Sequence, residues 1–196
     1  MKSRNIKNLR IIRILLGNPD GALTKYKIAK YAECSTPWVI EFLRKLEDTK
    51  IVKKTKVLDF NKLVEHYIKI MPKMKYFDFY VQEPIEFLKK SELEYALTTY
   101  GAENLVSRHL FPSRYDIYIK EEDLDRWKSL VIKKGLLGKG NLRVILAKDK
   151  AIFKESKEIK GVKSVSIPQL LIDLKKEGGV CIEAYNILVK RNVQKC

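Results

Sequence analysis

The sequence predicts an α+β protein in two parts, an N-terminal winged helix-turn-helix over residues 1–72 and a compact α/β domain over 73–196. Three observations lead there. Two short helical patterns separated by a tight turn occupy residues 24–46. A lysine-rich pair of strand-like stretches follows at once, over 51–58. From residue 76 onward, β-favouring and helix-favouring stretches alternate, as in α/β domains.

Residues 3–17 place Ile6, Leu9, Ile12 and Leu16 on one helical face, widened by Ile11, Ile14 and Leu15. Lys7, Arg10 and Arg13 are expected on the other side. Gly17-Asn18-Pro19-Asp20-Gly21 is a dense turn signal that stops this helix. A short helix is expected over 24–32, then a turn at Glu33-Cys34. The second helix has Thr36 as its expected N-cap and Pro37 at its first position, where a missing N–H costs nothing. Val39, Phe42, Leu43 and Leu46 form its apolar stripe, with Pro37, Glu41, Arg44, Lys45 and Asp48 opposite and Trp38 and Ile40 on the flanks. A helix with one face in a small core and the other free fits the major groove. Arg44 or Lys45 would reach a guanine edge or a phosphate, and Glu41 would accept from a cytosine amino group. Ser35, Thr36 and the helix N-terminal amides suit phosphate positioning.

Ile51-Val52 and Val57-Leu58 read as the two strands of a small wing with Lys53, Lys54 and Lys56 at its tip, candidates for phosphate contact. The bland alternatives are a plain helical hairpin with solvated charges and lysines that only protect a strand edge. The interface expected from this pattern comprises Lys25 and Lys27 on the first helix, Ser35, Thr36, Trp38, Glu41, Arg44 and Lys45 on the second, and Lys53, Lys54 and Lys56 on the ribbon. A helix over 61–70 closes this part, and Met71-Pro72-Lys73 breaks the pattern.

In the second part, Tyr76–Val81, Tyr95–Thr99 and Tyr115–Ile119 read as strands and Leu142–Ala147 as a central one; Ile152-Phe153 and Val162–Val165 are further candidates. Helices are expected over 84–90, 102–106 and 121–134. The last of these carries acids at its start, Lys133-Lys134 at its end and Gly135 as a cap, with Leu124, Trp127 and Val131 inward. Ser166-Ile167-Pro168-Gln169 reads as a capping box opening a helix that stops at Gly178-Gly179, and a final helix runs over 180–191.

Formal net charge is +16 over 196 residues, with +9 in the first 70. That favours a polyanionic partner, although a lysine-rich, glutamine-poor chain also fits a thermophile's composition. Three scattered cysteines, Cys34, Cys181 and Cys196, suggest a reducing compartment and no disulfide framework; His66 and His109 form no metal spacing with them. No apolar run reaches the ~18 residues of a membrane span, and no signal peptide is evident, so a cytoplasmic protein that avoids membranes is expected. No phosphate-binding glycine motif or nucleophile elbow occurs. Arg114-Tyr115-Asp116-Ile117-Tyr118 puts a tyrosine where a nucleotidyltransferase needs its second metal-binding carboxylate. Hence neither catalysis nor a cofactor or metal is expected.

The chain resembles the AbiEi-type antitoxin and transcriptional-regulator family of abortive-infection operons. The winged-helix pattern carries the resemblance, together with Tyr95-Ala96-Leu97-Thr98-Thr99 followed by Ala102. Most specific is Val165-Ser166-Ile167-Pro168-Gln169-Leu170-Leu171-Ile172-Asp173-Leu174, then Gly178-Gly179, Glu183-Ala184 and Leu188. The resemblance implies a winged helix that binds operator DNA and represses its own operon. It also implies a C-terminal domain that opposes a nucleotidyltransferase-like toxin and is itself a catalytically degenerate nucleotidyltransferase-like fold. Gln169, Asp173 and Glu183 match the family pattern; Gln169 is read here as a helix cap. The short wing and lysine-rich face depart from it. Together these readings predict a sequence-specific regulator binding duplex DNA, as a dimer on an inverted repeat. The rivals are an RNA-binding or RNA-modifying protein anchored by the winged helix, a nucleotidyltransferase-fold enzyme, and a protein-interaction module.

Overall fold

A computed structural model describes residues 3–132, 135–137 and 140–193. The protein is mixed α/β and forms two compact units, Met1–Pro72 with Ile187–Cys196, and Lys73–Asn186. The division expected from sequence left 187–196 with the second domain; of these, the described residues 187–193 group with the first unit.

In the first unit, α1 (Ser3–Gly17), α2 (Lys25–Tyr31) and α3 (Thr36–Asp48) precede a two-stranded antiparallel ribbon, β1 (Val52–Lys53) and β2 (Lys56–Val57), and then α4 (Phe60–Ile70). Ile11, Ile12, Leu15, Ile28, Val39, Leu43, Leu46, Leu63 and Val64 make the core. Arg13, expected outside, is only 2% exposed, and its Nη1 donates to the Tyr67 hydroxyl at 3.2 Å. The reason is packing: α1 lies against α4, which covers the side of α1 carrying Arg13. The loop after α1 supports the ribbon. The Val57 N–H donates to the Pro19 carbonyl at 2.9 Å, and the Thr55 hydroxyl to the Gly21 carbonyl at 3.0 Å. Gly21 is required there: φ is +83°, and a Cβ would sit 2.9 Å from Cβ of Lys56.

The second unit is built on a seven-stranded mixed sheet. Its strands are β3 (Tyr76–Val81), β4 (Tyr95–Thr98), β5 (Tyr115–Ile119), β6 (Gly135–Leu137), β7 (Leu142–Leu146), β8 (Lys157–Ile159) and β9 (Val162–Ser164), in the order β6-β3-β7-β5-β4-β9-β8. β5 and β7 run parallel, as do β4 and β9; the other pairs are antiparallel. Register sorts the sheet into two faces. Phe77, Val144, Ile117 and Leu97 stand in one row across four strands, and Asp78, Arg143, Asp116 and Thr98 stand in the next. Successive residues point to opposite faces, so an apolar face backs a polar one.

Helices α5 (Pro84–Lys89), α6 (Thr99–Val106), α7 (Leu124–Ile132), α8 (Ala151–Lys154), α9 (Ile167–Glu177) and α10 (Cys181–Val193) complete the chain, with a 3-10 turn over Glu121–Asp123. Trp127 of α7 is fully buried, edge-on to Phe87 and Tyr95.

Several expectations change. Ile152-Phe153 is helical rather than a strand, because Asp149 Oδ1 accepts from the Ala151 N–H and starts a turn. Thr99 begins α6 instead of ending a strand, and its φ is +46°. Gly135 pairs with Val81 as the first residue of β6 rather than simply capping a helix. Lys133 and Lys134 lie outside the described residues. Ser166 is the N-cap of α9 but makes no side-chain cap hydrogen bond; its hydroxyl points to Glu155 at 3.5 Å.

Candidate nucleic-acid interface

The sequence-predicted residues of the first unit sit on two packed helices and the adjoining ribbon. α3 buries Val39, Phe42, Leu43 and Leu46. That stripe turns Ser35, Pro37, Glu41, Arg44, Lys45 and Asp48 outward, and all are exposed. The N-cap is Ser35 and not Thr36, because the Ser35 hydroxyl accepts from the Trp38 N–H at 3.4 Å. Thr36 is therefore the first helical residue, half-buried, and Pro37 is the second. Lys45 is ion-paired with Glu41 one turn earlier, Nζ to Oε1 2.7 Å. A largely exposed pair of this kind holds by under about 1 kcal/mol, so a phosphate can displace it.

Trp38, expected on the flank of this helix and in the interface, makes contacts with α1. It is half-buried, its Nε1 donates to Asn8 Oδ1 at 2.9 Å, and Lys7 lies 5.5 Å from its ring centroid. These contacts fix α3 to α1. Trp38→Phe keeps an aromatic ring but removes the indole N–H and part of the packed ring surface, and should lower stability by about 1–2 kcal/mol in a denaturant titration.

The ribbon keeps its lysines outside: Lys53, Lys54 and Lys56 are all exposed. Its tip is tied to α3, for the Glu47 carboxylate accepts from the Lys54 N–H, and Lys54 turns the chain with φ of +57°. On α2, the Thr24 hydroxyl accepts from the Lys27 N–H, Lys27 is exposed and Lys25 half-buried. α2 packs on α3, and α3 on β1. The structure thus gathers Lys27, Ser35, Glu41, Arg44, Lys45 and the three ribbon lysines on the outside of one small unit.

Sequence reasoning passed over Tyr26, Lys30 and Tyr31, all exposed on α2. Their signal was the interleaving of lysine and tyrosine around the buried Ile28 and Ala29. Burial raises the pKa of the Cys34 thiol, against the lowering effect of Lys7 and Arg10.

The second unit holds a buried polar cluster on the polar face of its sheet. Asp173 of α9 accepts from the Thr98 hydroxyl at 2.6 Å, the Tyr118 hydroxyl at 2.8 Å and the Gln169 amide at 2.9 Å. Burial pushes its carboxyl up to about 6, against the lowering effect of those three bonds and of Lys176. Asp116 is bound by the Thr99 hydroxyl and by Arg114, whose Nε lies 2.7 Å from Oδ1; Arg114 also reaches Glu177 at 2.8 Å. A pocket of about 230 Å³ opens beside these groups, with Tyr76, Arg143 and Lys176 in its lining. Tyr118 thus meets a carboxylate from a distant helix, while Arg114 neutralises Asp116. Among the described residues, no group of three or more His, Cys, Asp or Glu side chains is arranged to hold a metal ion. Nor is any described helix long and apolar enough to cross a membrane.

No protein-family model, curated protein or solved structure matches this chain.

Proposed function

We propose that the chain is a duplex-DNA-binding regulator whose first unit acts as a winged helix. One observation carries the reading: the polar face of α3 is exposed on the same unit as three exposed ribbon lysines, with α3 held by an apolar stripe and by Trp38. α3 would enter the major groove, where Arg44 and Glu41 contact base edges. The ribbon lysines would follow the phosphates. The net charge of +16 would raise local affinity for any polyanion, so specificity must come from the few α3 contacts. The resemblance to AbiEi-type regulators adds an operator upstream of the chain's own gene. It also adds a nucleotidyltransferase-like toxin as counterpart of the second unit, and a dimer on an inverted repeat.

The test is fluorescence anisotropy with labelled duplex from upstream of the gene, against scrambled duplex and folded RNA, at two salt concentrations. Preference for the upstream duplex that survives competitor supports the regulator. Equal binding to all three that vanishes as salt rises removes it.

A further inference from the structure

The exposed side of α2 is a basic and aromatic strip of which the duplex reading uses only Lys27. Ile28, Ala29 and the following Ala32 point into the core, at 0%, 3% and 0% exposure. At 3.6 residues per turn, the opposite arc then carries, in order around the helix, Tyr26, Lys30, Lys27 and Tyr31. Tyr26 is 69% exposed and Tyr31 58%, and both lysines are exposed. No acid lies in the first turn of α2, and the Glu33 that follows it is ion-paired with Arg10. Two open rings thus flank two cations on a helix held rigidly from below.

We infer that this strip binds unpaired nucleotides that continue from a bound duplex. The inference rests on the proposed nucleic-acid interface and names a second ligand for it. Inside a duplex the bases are stacked on one another and offer the tyrosines no ring face. An unpaired strand offers both elements the strip can use. A phosphate sits between Lys27 and Lys30, and the bases on either side of that phosphate rest on Tyr26 and Tyr31. Stacking on an aromatic side chain contributes roughly 1–3 kcal/mol per base and tolerates any sequence. DNA and RNA tails share this chemistry, and the probes below separate them.

The experiment uses the full chain and anisotropy at fixed salt. The probes are a blunt DNA duplex, the same duplex with a short thymidine tail, the same duplex with a uridine ribonucleotide tail, and the free thymidine strand. The expected result is at least about thirtyfold tighter binding of a tailed duplex than of the blunt one, the low end for two stacked bases. Tyr26→Ala with Tyr31→Ala should erase that gain and leave blunt-duplex affinity unchanged. Tyr26→Phe with Tyr31→Phe should keep it, which separates ring stacking from a hydroxyl hydrogen bond to phosphate. Equal gain from both tails means the sugar is not read; gain from one alone names the strand. Binding of tails and free strand without blunt duplex would keep the strip and discard the duplex reading. The inference is overturned if no tail adds affinity, or if the alanine pair weakens blunt and tailed duplexes equally.

Discussion

Replacing Lys53, Lys54 and Lys56 with alanine together with Arg44→Ala should weaken duplex-DNA binding by about two orders of magnitude at moderate salt. It should also flatten the dependence of affinity on salt. All four side chains are exposed on one compact unit, so the loss cannot come from unfolding a core. Each phosphate contact releases counterions and steepens the fall of log affinity with log salt by a slope of close to one, so three or four lost contacts should lower the slope by about that number. The two sets of residues should separate. The lysine triple alone should weaken specific and scrambled duplex alike. Arg44→Ala alone should mainly relax discrimination, since a bidentate contact to a guanine edge contributes roughly 1–3 kcal/mol against the wrong base. An unchanged affinity and slope in the fourfold variant would leave the charge as a solubilising surface and end the winged-helix reading.

What the sequence made legible follows from which interactions are local. α1 matches its expected span because its apolar stripe runs over four turns, and β3 and β5 match theirs because aromatic and alternating patterns mark them. β6 and β8 went unseen. Both are three-residue strands at the sheet edges, too short to show a period of two. The exposed face of α3 could be read as the complement of its stripe. Arg13 could not be placed, because a helical wheel does not say where α4 will lie. The Asp173 cluster was beyond sequence reasoning for a similar reason: Thr98 and Tyr118 reach it across 75 and 55 residues of chain. The capping-box pattern at Ser166 drew attention to Gln169 as a local cap, whereas its amide donates to Asp173 one turn on.

Asp173→Ala should be the most damaging single change in the second unit, at roughly 3–5 kcal/mol, because three donors from two strands and its own helix share that one carboxylate. The isosteric Asp173→Asn is more informative. Burial raises the folded carboxyl from 3.8 to about 6, so the folded protein holds that proton more tightly than the unfolded chain does. The stability this group contributes is complete below pH ~4 and is lost as pH rises through about 6. That loss amounts to about 3 kcal/mol, since each tenfold difference in proton affinity between the folded and unfolded chain corresponds to about 1.36 kcal/mol. An asparagine has no proton to lose in that window. Its carbonyl can accept from Tyr118 and Gln169, and its amide can donate to a rotated Thr98 hydroxyl. The stability of the wild type relative to Asp173→Asn should therefore fall steadily between pH ~4 and ~7. The chain has two tryptophans, so in a Trp38→Phe background the buried Trp127 reports on the second unit alone. Urea titrations followed by its fluorescence would measure the difference. A difference that stays flat across the window would mean that Asp173 is ionised at no cost, and that the cluster is more open to water than its burial implies.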